Sequence, residues 1–199
     1  MSAMTEQAAR TGEPFAFTES NLERARDIVA RYPEGKQRSA LLPMLDLAQR
    51  QHGGWLSQEA LDYVAEFLDL PPIKVYEVAT FYSMYNLQPI GRYFIQVCRT
   101  SPCWLRGSDA ITKACMEKLG VGLGETTSDR MFTLVEVECL GACVNAPMVQ
   151  INDDYYEDLD AQKMSGLIDD LASGREVTIG SQSGRQASAP AQVNSQAQG

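Results

Sequence analysis

The sequence predicts a mixed α+β chain, a small helical bundle followed by a small mixed sheet with helices packed on it. Three observations predict it. Apolar residues recur at helical spacing in four successive segments up to residue 88. At Gly91 the apolar period drops from about 3.6 residues to about 2. Beyond that point, strand-like and helix-like segments follow in the order β-α-β-β-β-α.

Residues 1–17 read as a flexible lead-in. The motif Ser20-Asn21-Leu22-Glu23 has the form of a capping box, with Ser20 accepting from the backbone and Glu23 reaching back. Leu22, Ala25, Val29 and Tyr32 then mark one helical face, which Pro33 ends. A second helix starts after Ser39 with Leu41, Leu45, Ala48 and His52 on one stripe, and Gly53-Gly54 close it. Pro43 fits only within its first turn, because later it would remove a ladder hydrogen bond. The third helix begins at the N-cap Ser57, carries Leu61, Val64 and Leu68, and stops before Pro71-Pro72. The fourth follows those prolines with Val75, Val78, Ala79 and Tyr82 inward. Residues 18–88 thus form an expected helical domain.

Residues 93–97 are a short strand running into Cys98. Residues 108–119 are helical, with Ile111, Cys115 and Leu119 in line and Gly120 at the end. Residues 133–138 alternate, Val135 and Val137 against Glu136 and Glu138, and deliver Cys139. Residues 148–152 form another strand, Asp153-Asp154 a turn, and Tyr155-Tyr156 its hairpin partner. A last helix carries Met164, Leu167, Ile168 and Leu171, with Gly174 closing it. This order is that of a thioredoxin-like layer over residues 89–178. From Gly180 the Ser, Gln, Ala and Gly composition cannot bury a core, so 179–199 read as a disordered tail.

The 199 residues are 44% apolar and 22% charged, enough for an ordinary core. A net charge of −9 argues against nucleic acid and anionic membranes as partners, since both want clustered Lys and Arg. No apolar run approaches the roughly 20 residues that span a bilayer, so no direct membrane insertion is expected. The N-terminus lacks the apolar core of a signal peptide and the Arg-rich, acid-poor composition of a transit peptide. A cytoplasmic, reducing setting is therefore expected, where paired cysteines bind metals or do redox work more often than they form structural disulfides.

Four of the five cysteines form two tight pairs. Four residues lie between Cys98 and Cys103, three lie between Cys139 and Cys143, and 35 separate the pairs. Each pair follows a strand. If those strands are neighbours joined by a crossover helix, all four sulfurs meet at one sheet edge, and soft thiolates there suit a metal or an iron–sulfur cluster. Gly141 and Ala142 are small enough for backbone to wrap around sulfide, while Thr100, Ser101 and the helix start after Cys103 add donors. Zinc also takes four cysteines and stays a competitor on ligand count. A thiol–disulfide enzyme would use a two-residue spacing, which neither pair has. Plant-type ferredoxins share only the first interval. An all-cysteine [2Fe–2S] site leads.

The segment from Val97 to Ser108, with Cys98-Arg99-Thr100-Ser101-Pro102-Cys103-Trp104, resembles the small iron–sulfur subunit of NADH:quinone oxidoreductase, respiratory complex I. So does Glu138-Cys139-Leu140-Gly141-Ala142-Cys143-Val144-Asn145-Ala146-Pro147. Upstream, Gly53-Gly54-Trp55-Leu56 and Val75-Tyr76-Glu77-Val78-Ala79-Thr80-Phe81-Tyr82 are similar to the same family, as is Gln150-Ile151-Asn152-Asp153-Asp154-Tyr155-Tyr156-Glu157. The likeness spans roughly residues 18–178, with no departure at the four cysteines.

The resemblance implies a thioredoxin-like [2Fe–2S] ferredoxin domain behind the helical bundle, one cluster held by Cys98, Cys103, Cys139 and Cys143, and no catalytic acid or base. It implies docking on the flavin- and NADH-binding subunit, with a larger iron–sulfur subunit nearby. The expected place is peripheral, on the cytoplasmic face of the cell membrane through the complex. Equivalent subunits occur in NAD-linked hydrogenases and formate dehydrogenases, the alternative to complex I; a zinc- or cluster-stabilised scaffold without redox role is the other.

The remaining candidates read as structural. Cys115 lines up with apolar neighbours and packs as one of them. His52, the sole histidine, sits at a helix end where a dipole contact or a surface position suffices. No G-x-G-x-x-G follows a strand, so the flavin and NADH sites are expected in a partner. Trp55, Tyr76, Phe81, Tyr82 and Tyr85 read as core or subunit contact. Arg99 and Arg106 flank the first pair and either offset cluster charge or face a partner or water. Glu136 and Glu138 read as a solvated strand face.

Overall fold

In the computed structural model, which describes residues 7–188, the chain divides into two units, residues 1–90 and 91–199. Four helices build the first: α1 (Glu19–Ala30), α2 (Leu41–Gln51), α3 (Gln58–Phe67) and α4 (Pro72–Phe81). Their apolar stripes meet in one core in which Met44, Leu45, Leu61, Val64 and Val75 are fully buried. Burying side chains of this size supplies about 1.5–3 kcal/mol each, enough to offset the ordering of short helices that would be marginal alone.

The helix starts follow local chemistry. Ser57 caps α3 by accepting from the Ala60 amide at 3.2 Å. Pro43 stands third in α2, where its missing N–H costs nothing. Helix α1 starts earlier than the predicted capping box. Thr18 is its N-cap, accepting from the Asn21 amide. The Thr18 amide donates to Gln51 Oε1 at 3.0 Å, and Gln51 Nε2 donates to the Ala16 carbonyl at 2.8 Å. A side chain of α2 therefore decides where α1 begins.

Residues 7–17, expected as a flexible lead-in, are packed where described. The Ala9 amide donates to the Leu87 carbonyl at 2.9 Å, and the Gln58 amide donates to the Ala9 carbonyl at 3.0 Å. Phe17 is buried, its ring edge-on to Tyr63 with centroids 5.3 Å apart. Residues 1–6 lie outside the described residues.

The second unit is a six-stranded mixed sheet. Its strands are β1 (Tyr93–Cys98), β2 (Glu125–Thr126), β3 (Phe132–Val137), β4 (Val149–Ile151), β5 (Asp154–Glu157) and β6 (Gly180–Ser181), in the order β2-β3-β1-β4-β5-β6. The short helix α5 (Ser101–Leu105) is joined by two longer ones, α6 (Ser108–Leu119) and α7 (Ala161–Ala172). Strands β1 and β3 are parallel neighbours with Cys98 opposite Val137, as a crossover through α6 predicts. Gly91 makes that pairing possible: a Cβ there would sit 2.8 Å from the backbone N and C of Phe132.

Three differences from the predicted elements have local causes. Cys103 lies inside α5 rather than ahead of a helix, because extended Thr100 and Pro102 in the first turn start a helix that five residues are too few to advertise. The β4–β5 turn falls on Asn152-Asp153, one residue early, since Asn152 supplies the left-handed φ of 54°. Strand β6 pairs with β5 inside the stretch expected as a disordered tail. Residues 189–199 of that tail lie outside the described residues. No helix among the described residues is long and apolar enough to cross a membrane.

Candidate metal centre

Parallel pairing of β1 and β3 brings both cysteine loops out of the same sheet edge. Cys98 is the last residue of β1; two residues past β3 the chain reaches Cys139. The Arg99 amide donates to the Val137 carbonyl at 3.1 Å, and the Cys98 amide is directed at the Met148 carbonyl at 3.4 Å, so the first loop is tied to chain on both sides. Cys103 sits in α5, and Cys143 opens a 3-10 turn, Cys143–Asn145.

The four sulfurs form two pairs. Cys139 Sγ lies 3.6 Å from Cys143 Sγ, and the Cys103 thiol is within hydrogen-bonding reach of Cys98. The first pair is buried, at 2% and 1% exposure, in a small apolar pocket with Ala142, Ala146 and Met148; the second pair is exposed. The site is therefore walled off from water on its inner side and open on its outer side.

Donors converge on one sulfur of each pair. Burial pushes the Cys98 thiol up, but the Thr100 hydroxyl at 3.4 Å, the Thr100 and Leu140 amides and the Cys103 thiol outweigh it, and Cys98 ionises more easily than an ordinary cysteine. Cys103 has burial first and the Cys98 thiol next against it, and is pushed up to about 12. The Gly141 amide, 3.4 Å from Cys139 Sγ, draws Cys139 down. The bond with Cys139 pushes Cys143 up. Gly141 can aim its amide this way because it adopts φ 87°, a left-handed conformation with no Cβ penalty.

This donor set fits a two-iron centre. Such a centre takes two thiolates on each iron, and the sulfurs stand as two pairs. Among the described residues no group of three His, Cys, Asp or Glu side chains is arranged to hold one metal ion. A tetrahedral zinc site needs all four sulfurs about 2.3 Å from one point. The amides and hydroxyl aimed at sulfur are the donors that stabilise thiolate charge. Ser108 Oγ, buried at the start of α6, has no hydrogen-bond partner among the described residues, and it is not among the groups that bond the four sulfurs.

The other candidates fall outside this group. Cys115 is completely buried against β1 and β3 residues, and burial alone pushes its thiol up to about 12. His52 caps the end of α2, its Nδ1 3.2 Å from the Trp55 carbonyl and its ring 4.4 Å from the indole. Tyr85 is core, donating to the Leu42 carbonyl at 2.9 Å, whereas Phe81 is 79% exposed. Glu136 differs from the solvated role expected of it: it accepts from Thr112 Oγ1 on α6 at 3.2 Å and lies 3.7 Å from Arg99. Arg106 lines a cavity of about 730 Å³ beside Cys143.

One residue that sequence reasoning missed is Tyr155. Its hydroxyl donates to the Leu140 carbonyl at 2.7 Å and holds the loop between Cys139 and Cys143. No spacing rule reveals it, because the contact depends on β5 pairing with β4.

Comparison with known proteins is consistent with this geometry. Residues 25–172 match the family model described as thioredoxin-like [2Fe-2S] ferredoxin. An NADH-quinone oxidoreductase subunit of Rickettsia felis is 61% identical over 159 residues, 80% of this chain and 95% of that relative. The mitochondrial NADH dehydrogenase [ubiquinone] flavoprotein 2 of Dictyostelium discoideum is 53% identical over 174 residues, 87% of this chain and 70% of that one. Among solved structures, an NAD+-reducing [NiFe]-hydrogenase in the H2-reduced state superposes with a TM-score of 0.59 at 24% identity. The match covers 67% of this chain and 23% of that one, a likeness of fold.

Proposed function

The chain belongs to the thioredoxin-like [2Fe–2S] ferredoxin family, and from that premise we propose that it is the electron-transfer subunit of an NADH:quinone oxidoreductase. The relative at 61% identity is named an NADH-quinone oxidoreductase subunit and the one at 53% an NADH dehydrogenase [ubiquinone] flavoprotein, whereas the hydrogenase is similar only in fold, which favours the complex I assignment over the hydrogenase alternative.

The observation that carries the site is the pairing of sulfurs on two loops leaving adjacent parallel strands. On that reading Cys98, Cys103, Cys139 and Cys143 hold one [2Fe–2S] cluster. When bound, the cluster supplies one-electron chemistry, for which the protein needs no acid or base of its own. The chain's part is to hold four thiolates, donate to them from Thr100, Leu140 and Gly141, and keep water from the inner pair. The partner on this reading is the flavin- and NADH-binding subunit, with a larger iron–sulfur subunit nearby, and the place is peripheral on the cytoplasmic face of the cell membrane. The exposed pair, with Val144 next to Cys143 at 85% exposure, leaves the outer side open for such a partner.

Purified protein tests the cofactor directly. A red-brown chain holding about two irons supports the reading; a colourless chain holding zinc contradicts it.

A further inference from the structure

Residues 180–188 lie beyond the part of the chain that the family model matches, yet they are bonded to the loop that carries Cys143. Strand β6 lies parallel to β5, with Glu157 opposite Ser181. The Ser188 amide and hydroxyl donate to the carboxylate of Glu157, which is 1% exposed. Between these anchors Arg185 makes a forked ion pair with Asp158: Nε to Oδ2 at 3.1 Å, Nη2 to Oδ1 at 2.5 Å. Ser181 and Ser183 hydroxyls donate to the same carboxylate.

Two of these groups grip the cysteine loop itself. Arg185 Nη2 donates to the Val144 carbonyl at 3.0 Å. Asn145 Nδ2 donates to Asp158 Oδ2 at 3.2 Å and to the Gln186 carbonyl at 2.8 Å. Apolar packing holds this loop at Ala142 and Ala146, whereas Cys143 and the Val144 side chain between them are exposed. At Val144 and Asn145 the hold is polar, through the Arg185, Asp158 and Gln186 bonds. Asp158 is pre-set for the task by its left-handed φ of 55°, and the Asp158 amide donates to the Asn145 carbonyl at 2.8 Å.

We propose that residues 180–188 form a strap that fixes the second cysteine loop, with Arg185 as the positioning residue joining Val144 to Asp158, and that the strap retards loss of the metal centre. This inference rests on the [2Fe–2S] reading. Lysine cannot serve both acceptors as the guanidinium fork does, so Arg185→Lys should restore only part of the effect.

The test uses the full chain with its cluster, following bleaching of the visible absorbance under excess iron chelator. Arg185→Ala should bleach about tenfold faster, the ratio that ~1.4 kcal/mol sets, with Arg185→Lys in between. Its visible circular dichroism, a readout that a loss of fold stability alone would not move, should also change. Arg175→Ala removes an ion pair at the end of α7, Arg175 to Asp170, whose arginine is about as exposed as Arg185 but whose carboxylate is more open, and should bleach like wild type. Asp158→Asn tolerates the same φ and should also bleach faster. Wild-type bleaching in Arg185→Ala, or equal acceleration in Arg175→Ala, overturns the strap. A wild-type chain without a cluster instead overturns the reading beneath it.

Discussion

Cys98 and Cys115 are both buried cysteines on opposite sides of the same distinction. Cys115 has apolar neighbours and no donor, so burial alone acts on it and the thiol stays protonated. Cys98 has as little exposure but gains donors from Thr100, Leu140 and Cys103, which reverse the effect of burial. Alanine at any of Cys98, Cys103, Cys139 or Cys143 should abolish normal iron content and absorbance; full retention in one of them would remove it from the ligand set. Cys115→Ala should keep the cluster and cost about 1–2 kcal/mol in an unfolding titration. Tyr155→Phe deletes one hydroxyl bond to Leu140, worth about 1 kcal/mol, and should loosen the centre without altering iron stoichiometry.

Helices and strands carry their own tests. Ser57→Ala removes the buried cap of α3 and should destabilise the chain by about 1 kcal/mol, read from the urea midpoint. Gly91→Ala places a Cβ against the Phe132 backbone, and should cost about 2 kcal/mol or more because backbone cannot swing aside. Glu59 ties the N-terminal segment to α3. Burial pushes its carboxyl up, but the Glu59, Thr11 and Gly12 amides and the Ser57 hydroxyl win and lower it from 4.5 to about 2. A carboxylate depressed on folding stabilises in full above about pH 4.5, and that share is lost as pH falls towards 2. Wild-type stability should therefore fall more steeply than that of Glu59→Gln between about pH 5 and 3; parallel curves would refute the tie. These elements also show what sequence could reveal. Helices α2, α3, α4, α6 and α7 repeat apolar residues over several turns, so their stripes were readable, as were the strands that end at the cysteines. Two-residue strands such as β2 and β6 have no period to read. The cap at Thr18 depends on Gln51, and the strap on Asp158; both are long-range contacts that composition does not encode. Hence a Ser- and Gln-rich segment read as disorder while its described part is bonded.

At the scale of the molecule, all four paired cysteines fall in the unit spanning residues 91–199, and the helical unit of residues 1–90 contributes none. We propose that the two units have separate tasks, the second as cluster cradle and the first as docking element. On the proposed assignment, a chain lacking residues 1–88 should still bind iron yet fail to co-purify with a flavin- and NADH-binding subunit; full assembly of the truncated chain would refute the docking role. Electron transfer by the cradle makes the sharpest demand on the protein. Reduced wild-type protein, probed by electron paramagnetic resonance alongside iron and sulfide analysis, should show one paramagnetic signal per chain from a single [2Fe–2S] centre. A chain that carries zinc, or iron that stays silent at every potential applied, contradicts its role as a one-electron carrier.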